Sequence, residues 1–105
     1  MAGYKNIDVT ELQSMMDRGG VRLVDVRTDA EIAQGIIHGA EKLPLHLLPI
    51  SLGKFDNRQP TVFYCRMGGR SAQAAAYMAA QGLDQAYNLS GGITAWMQEG
   101  LPLSK

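Results

Sequence analysis

The sequence has few of the features that mark several large classes of protein. It contains a single cysteine in 105 residues, which excludes an intramolecular disulfide and suits a reducing compartment. The first residues carry no apolar run typical of a signal peptide, and no stretch approaches the roughly 20 apolar residues of a membrane span. We therefore expect a cytoplasmic protein without a membrane partner.

An excess of charge of one sign is also lacking. Ten basic and ten acidic residues leave no formal net charge, which argues against a general nucleic-acid binder. The two histidines, His38 and His46, have no second cysteine beside them and no helical spacing typical of a metal site. We expect neither a metal nor another cofactor.

The size and composition are those of one globular domain. The chain is 46% apolar and 19% charged, which is ordinary for a folded protein of this length. We expect a single domain over residues 1–105, present as a monomer. Residues 21–26 and 60–64 are nearly continuous apolar runs, a pattern typical of strands that are covered on both faces.

Helices are indicated between these runs. Residues 8–11 and 28–31 both resemble capping boxes, and residues 71–81 are rich in alanine, the best helix former. Shorter strands are expected at residues 4–7 and 85–88 and near residues 41–43. Strands that alternate with helices predict an α/β domain with a central parallel sheet and helices on both of its faces.

The cysteine lies between a predicted strand and a predicted helix. Residues 61–71 read TVFYCRMGGRS, and we call residues 65–71 the cysteine loop. A loop at the start of a helix gathers backbone N–H groups that bind anions, and two arginines add positive charge. Both effects favour the thiolate of Cys65, which is the nucleophilic form. The simpler alternative is a buried structural cysteine, but a dry core would not accept Arg66 and Arg70 unpaired.

Three stretches resemble the signatures of the rhodanese family of sulfurtransferases. CRMGGRS at residues 65–71 resembles the active-site loop of that family. LVDVR at residues 23–27, with Glu31, resembles its first signature, and NLSGGITAW at residues 88–96 resembles its C-terminal one. The similarity spans nearly the whole chain in the family's order. It implies the rhodanese fold, a doubly wound α/β fold with a five-stranded, mainly parallel sheet.

The resemblance also implies a reaction. A small anionic donor such as thiosulfate, or a persulfide donor, gives its outer sulfur to Cys65, and a thiophilic acceptor removes it. The acceptor is cyanide in vitro and a thiol or a sulfur-carrier protein in cells. Asp25, Arg27 and Glu31 match positions that orient neighbouring groups. Around the nucleophile Cys65, the resemblance assigns substrate binding to Arg66, Met67, Gly68, Gly69, Arg70 and Ser71, with both guanidinium groups attracting the donor.

Other functions remain open from the sequence. A small cysteine phosphatase or arsenate reductase also has a cysteine loop that ends in arginine, but its loop needs one residue more than the four between Cys65 and Arg70. A redox-sensing thiol is a further alternative, since a cysteine of low pKa is easily oxidised. An interaction module is the third, although modules of that kind in this family typically lack the cysteine.

Overall fold

The computed structural model describes residues 3–105. Strands and helices alternate along them, as the sequence predicts. In chain order the elements are β1 (Lys5–Ile7), α1 (Val9–Arg18), β2 (Arg22–Asp25), α2 (Asp29–Ile32), β3 (Ile36–Ile37), β4 (Glu41–Lys42), two 3-10 helices (Leu45–Leu47 and Pro49–Lys54), β5 (Thr61–Tyr64), α3 (Gly69–Ala80), β6 (Ala86–Leu89), α4 (Gly92–Gln98) and β7 (Leu103–Ser104).

Five of the strands form one sheet, in the order β1-β6-β5-β2-β4, and every neighbouring pair is parallel. The most apolar strand, β5, is in the middle, where Phe63 pairs with Val24 on one side and Asn88 on the other. Parallel strands end at a common edge, and ligands bind outside that edge in open α/β sheets. The predicted five-stranded parallel sheet is confirmed.

Alternate residues of β5 and the cysteine after it enter two separate cores, one on each face of the sheet. Phe63 and Cys65 lie in the core beneath α3, while Val62 and Tyr64 lie in the core beneath α1 and α4. This is the period-two alternation of a strand covered on both sides. The helical residues that close the two cores include Ala74, Ala75 and Met78 on the first face and Leu12, Ile93 and Trp96 on the second.

Both predicted capping boxes are present. In α1 the carboxylate of Asp8 accepts from the backbone N–H of Glu11 at 2.8 Å, and the Glu11 carboxylate accepts from the N–H of Asp8 at 3.3 Å. In α2 Thr28 and Glu31 exchange the same pair of bonds, at 3.3 and 3.1 Å. These reciprocal bonds satisfy backbone donors that a helix start leaves free.

A second, two-stranded sheet was not predicted. The strands β3 and β7 pair antiparallel, with Ile37 opposite Leu103. The Tyr64 hydroxyl, at the end of the central strand, accepts the backbone N–H of Ile37 at 3.0 Å. The small sheet is therefore attached to the same end of the large sheet as Cys65. Within residues 3–105 no helix combines the length and the apolar character needed to cross a membrane.

Candidate active site

Cys65 follows the last residue of β5 and is almost completely buried, with 1% of its surface exposed. The chain turns at once into α3, which begins at Gly69, two residues earlier than predicted. Gly68 makes the turn at φ +110°, a backbone conformation that side chains with a Cβ rarely adopt. The N-terminus of a 12-residue helix is therefore directed toward the cysteine.

Three hydrogen bonds converge on the sulfur of Cys65. The backbone N–H of Gly68 lies 3.1 Å from Sγ, that of Ser71 lies 3.4 Å away, and the Ser71 hydroxyl lies at 3.3 Å. Burial by itself would raise the pKa of Cys65. The hydroxyl of Ser71 and the N–H groups of the loop outweigh burial, and they lower the pKa below its ordinary value.

We expect the Cys65 thiol to ionise below the value of about 8.5 for an unperturbed cysteine. The rate of alkylation by iodoacetamide, measured against pH, gives the midpoint directly, because only the thiolate reacts. The same chain unfolded in urea is the control, and its midpoint should return to the ordinary value. Equal midpoints for the folded and unfolded chains would show that the cysteine loop does not stabilise the anion.

Backbone hydrogen bonds from the start of α4 hold the cysteine loop in place. The backbone N–H of Ile93 donates to the carbonyl oxygen of Cys65 at 2.9 Å, and that of Thr94 donates to the carbonyl oxygen of Arg66 at 3.2 Å. Gly92 makes this approach possible, because a Cβ there would lie 2.4 Å from the Cys65 oxygen. The GGIT segment of the C-terminal signature is therefore a backbone support for the loop.

The two arginines of the loop have different surroundings. Both terminal nitrogens of Arg70 donate to the Glu31 carboxylate, at 2.7 and 2.8 Å, in a bidentate ion pair. Arg66 is exposed, and it takes part in none of the ion pairs that the structure contains within residues 3–105. The resemblance implied that both arginines attract the donor. The structure instead gives Arg70 a carboxylate partner and leaves Arg66 facing solvent.

Glu31 connects the cap of α2 to the start of α3. The hydrogen bonds from Arg70, together with those from Thr28, hold the pKa of Glu31 at about 2, compared with an ordinary 4.5. A carboxylate with a lowered pKa stabilises the fold fully above its unfolded pKa, and this stabilisation is lost as the pH falls through the folded pKa. The contribution should thus fade between pH 4.5 and about 2.

Replacing Glu31 by Gln should lower the free energy of unfolding at neutral pH by about 1 kcal/mol, since the pair is partly exposed. Glutamine keeps the capping box, so the substitution removes mainly the charge. Urea unfolding of both proteins should show the difference narrowing as the pH falls from 4.5 toward 2. Glu11→Gln, at the same cap position of α1, is the matched control. A difference that stays constant with pH would contradict this account of the ion pair.

Asp25 and Arg27 form a buried pair beside the loop without touching the cysteine sulfur. The Asp25 carboxylate, which is fully buried, accepts from the Arg27 backbone N–H, from Nε and from a terminal nitrogen at 2.8–3.1 Å. Arg27 also donates to the carbonyl oxygen of Gly35 at 2.6 Å. The pair thus fixes the turns on both sides of α2, and through α2 it positions Glu31.

Two open clefts lie on either side of the loop. One, of about 420 Å³, is lined by Arg66 together with Thr94 and Met97 of α4. The other, of about 610 Å³, is mostly apolar and lies between Arg70 and the segment that carries Leu45. Met67, the third residue of the loop, is 65% exposed.

One polar residue of the site was not predicted from the sequence. Asn88 of β6 is 4% exposed, and its side-chain oxygen lies 2.5 Å from the Ser71 hydroxyl. Its side-chain nitrogen donates to Asn6 at 3.0 Å. Two signals in the sequence point to it: Asn88 is an amide within an otherwise apolar strand, and it is the first residue of the C-terminal signature. Within residues 3–105 no group of histidine, cysteine, aspartate and glutamate side chains has an arrangement that could hold a metal ion.

Comparisons with known proteins agree on one family. Residues 8–99 match the rhodanese-like domain. A protein of Allochromatium vinosum named sulfurtransferase is 50% identical over 91 residues, which cover 87% of this chain and 85% of that protein. The thiosulfate sulfurtransferase GlpE of Shewanella oneidensis is 35% identical over 96 residues, covering 91% and 95%. The solved structure of the human single-domain sulfurtransferase TSTD1 superposes with a TM-score of 0.87 at 30% identity, covering 92% of this chain and 98% of that one.

Proposed function

Because this chain belongs to the rhodanese-like domain family, we propose that it is a thiosulfate sulfurtransferase in which Cys65 carries the transferred sulfur. The observation that carries this assignment is the set of donors around the only cysteine of the chain: two backbone N–H groups and one hydroxyl converge on its sulfur. The two backbone N–H groups are fixed before the reaction, so they stabilise negative charge on sulfur without reorganising.

In the first half of the reaction the Cys65 thiolate attacks the outer sulfur of thiosulfate. A new sulfur–sulfur bond forms at Cys65, the sulfur–sulfur bond of thiosulfate breaks, and its electron pair leaves with sulfite. The outer sulfur of the resulting persulfide carries the negative charge. The N–H groups at the start of α3 and the positive end of the helix would stabilise that charge.

In the second half a nucleophilic acceptor attacks the outer sulfur, and the Cys65 thiolate leaves. Cyanide becomes thiocyanate, and a thiol becomes a persulfide. The acceptor resolves the intermediate, so one cysteine is sufficient. We propose a small thiol or the cysteine of a sulfur-carrier protein as the acceptor in cells. The exposed side chain of Met67 in the loop leaves room for an acceptor of either size.

The two arginines are proposed to act differently. Arg66 faces solvent beside a cleft and contributes an unpaired positive charge that attracts an anionic donor. Arg70 is held by Glu31 and ties the cysteine loop to α2. Positioning by Arg70 should matter for every donor, whereas attraction by Arg66 should matter only for charged ones.

Arg66→Ala should raise the KM for thiosulfate about tenfold, since a lost charge-assisted contact costs roughly 1.5–3 kcal/mol when buried and less when exposed. Its activity with an uncharged persulfide donor should change little. Arg70→Ala should lower kcat with both donors. Steady-state kinetics of both variants should be measured with both donors. If Arg66→Ala lost the same activity with charged and uncharged donors, the proposed role of Arg66 would be refuted.

A phosphatase has less support from the geometry. The loop itself contains no carboxylic acid to protonate a leaving group, and two carboxylates beside it are already paired, Glu31 with Arg70 and Asp25 with Arg27. The loop is also closed by only four residues between Cys65 and Arg70, and the N–H of Gly68 already lies 3.1 Å from the sulfur. One additional sulfur atom fits this space better than a phosphate group.

Intact-mass measurement after incubation with thiosulfate tests the proposal. The wild type should gain the mass of one sulfur atom, dithiothreitol should remove it, and Cys65→Ser should not gain it. Sulfite should appear in equal amount. A protein that gains oxygen atoms with peroxide, but no sulfur with thiosulfate, would be a redox-sensing thiol instead.

We also propose that the protein acts as a cytoplasmic monomer. The support is the single cysteine, which a reducing compartment keeps as a thiol. Light scattering at micromolar concentration, with and without dithiothreitol, measures the oligomeric state. A dimer that survives reduction would contradict the monomer.

A further inference from the structure

Three side-chain hydrogen bonds connect the edge of the sheet to the cysteine. Asn6 of β1 accepts from Asn88 of β6 at 3.0 Å, Asn88 lies 2.5 Å from the Ser71 hydroxyl, and that hydroxyl lies 3.3 Å from Sγ of Cys65. Asn6 and Asn88 are register partners in the parallel sheet. Ser71 and Asn88 are both buried, so water does not compete for these bonds.

The orientation of the Asn88 amide determines what Ser71 does. The nitrogen of Asn88 donates to the side-chain oxygen of Asn6, so its oxygen faces Ser71. An amide oxygen only accepts hydrogen bonds. The short contact therefore needs the proton of the Ser71 hydroxyl. A serine hydroxyl has one proton, and the Cys65 thiolate, 3.3 Å away on another side, needs the same one.

We propose that Asn88 is a positioning residue that controls the reactivity of Cys65 by competing with its sulfur for the single proton of the Ser71 hydroxyl. While that proton lies on the bond to Asn88, the serine oxygen presents lone pairs to the sulfur and can accept a thiol proton. When the thiolate forms, the hydroxyl must leave Asn88 to donate to it. The backbone N–H groups of Gly68 and Ser71 are bound to the sulfur in either case.

This competition keeps the thiolate reactive. A thiolate that receives fewer hydrogen bonds is more basic and more nucleophilic, since nucleophilicity rises with the pKa of the thiol. Asn88 thus lowers the fraction of Cys65 that is ionised and raises the rate at which the thiolate attacks the donor sulfur. The inference rests on the proposed function for its purpose, but the competition itself is a property of the resting protein and can be measured without any sulfur donor.

The charged groups around the loop are not part of this hydrogen-bonded chain. Arg66 and Arg70 lie on the loop and on α3, Glu31 on α2 is paired with Arg70, and Asp25 is paired with Arg27 at the end of β2. The segment of α4 that packs against the loop contributes the backbone N–H groups of residues 93 and 94. None of these groups is hydrogen-bonded to Asn88, so a substitution there leaves their charges in place.

Two substitutions of Asn88 should shift the pKa of Cys65 in opposite directions. Asn88→Leu keeps the branched shape of the side chain, with larger methyl groups and no acceptor. Ser71 then donates freely to the thiolate, and the pKa of Cys65 should fall by about half to one unit. Asn88→Asp binds the serine proton more strongly and adds negative charge, so the pKa should rise by at least as much. The ultraviolet absorbance of the thiolate against pH measures both.

The reactivity of the thiolate is the second readout. At a pH where both proteins are fully ionised, the Asn88→Leu thiolate should react with iodoacetamide about two- to threefold more slowly than wild type, following its lower basicity. A merely structural role for Asn88 would not slow the fully ionised thiolate in proportion to its pKa.

A double-mutant cycle with Ser71→Ala shows whether the effect passes through the serine. In the Ser71→Ala protein, Asn88→Leu should leave the pKa of Cys65 unchanged. Thr61→Val is the matched control, because it removes another buried hydrogen bond, to the carbonyl oxygen of Gln59 at the opposite end of β5. It should not move the pKa of Cys65.

The proposal is overturned if Asn88→Leu raises the pKa of Cys65 or leaves it unchanged, or if the shift persists without Ser71. If Asn88→Leu does not fold, as judged by near-ultraviolet circular dichroism, Asn88→Asp decides the matter, and a pKa no higher than that of wild type overturns the proposal. Failure of the wild type to accept sulfur from thiosulfate would remove the proposed function and leave these pKa measurements intact.

Discussion

Replacing Cys65 by serine should abolish the transfer of sulfur from thiosulfate to cyanide. The chain has no second cysteine, so no other side chain can form the persulfide. A serine hydroxyl is protonated at neutral pH and is a far weaker nucleophile than a thiolate. Loss of a covalent nucleophile removes most of an enzyme's rate enhancement, and we expect a fall of at least about a thousandfold. Thiocyanate formed per minute is the measurement.

The fold should survive this substitution. Serine differs from cysteine in one atom, and its oxygen can accept the backbone N–H groups of Gly68 and Ser71 that now donate to the sulfur. The midpoint of urea unfolding and the fluorescence of the buried Trp96 should match those of the wild type within error. Turnover near the wild-type rate in a well-folded Cys65→Ser protein would contradict the mechanism, because it would require a route without a cysteine persulfide.

Local patterns in the sequence account for most of the fold. Apolar runs predict the central strands. An aspartate or threonine followed three residues later by a glutamate predicts the starts of α1 and α2. Both features depend only on residues that are close together in the sequence. The same pattern predicts that Cys65 lies between a strand and a helix. Each of these predictions is confirmed in the structure.

The pairing of β3 with β7 could not be found in this way. Each strand has two residues, too few for a period to be recognised, and the paired residues Ile36 and Ser104 lie far apart in sequence. What the pairing needs is the packing of Ile37 beneath the central strand, where Tyr64 accepts its N–H. Tertiary contacts, not local preference, select such a pair.

The two arginines illustrate the same limit within the site. Arg66 and Arg70 are identical in type and lie in the same loop, so the sequence does not distinguish them. The helix starts at Gly69, which places Arg70 in its first turn and within reach of Glu31, 39 residues earlier in the chain. The difference between an exposed cation and a paired one depends on this three-dimensional contact. Asn88 was missed for a related reason, since the sequence does not show which buried hydroxyl faces its amide.

Gly92 is the residue whose substitution by alanine should most disturb the loop without changing any reacting group. A Cβ at this position would lie 2.4 Å from the carbonyl oxygen of Cys65 and 2.5 Å from that of Arg66. Both contacts are with backbone atoms, which cannot rotate away as a side chain does. The loop and the start of α4 must therefore separate, and the N–H of Ile93 would lose its bond to Cys65.

We expect Gly92→Ala to lower the free energy of unfolding by roughly 2–5 kcal/mol. Overpacking accounts for about 1–3 kcal/mol of this loss, and the left-handed backbone conformation at φ +57° accounts for about 1–2 kcal/mol. Sulfur transfer should fall about a hundredfold, because a displacement near 1 Å misaligns the donors around the sulfur. Urea unfolding and the rate of thiocyanate formation measure the two effects.

Gly19→Ala separates the clash from the backbone strain. Gly19 ends α1 at φ +79° and ψ 175°, an extended conformation at positive φ that is essentially restricted to glycine, and a Cβ there would meet no atom within 4 Å. Only the backbone strain of about 1–3 kcal/mol therefore applies. Its sulfur transfer should equal that of the wild type. The pKa of Cys65 should rise in Gly92→Ala and stay unchanged in Gly19→Ala, because only the first substitution pulls N–H groups away from the sulfur. The opposite result would be an equal loss of unfolding free energy in both variants, with full sulfur transfer in each. It would show that the close approach of α4 does not hold the cysteine loop in its reactive shape.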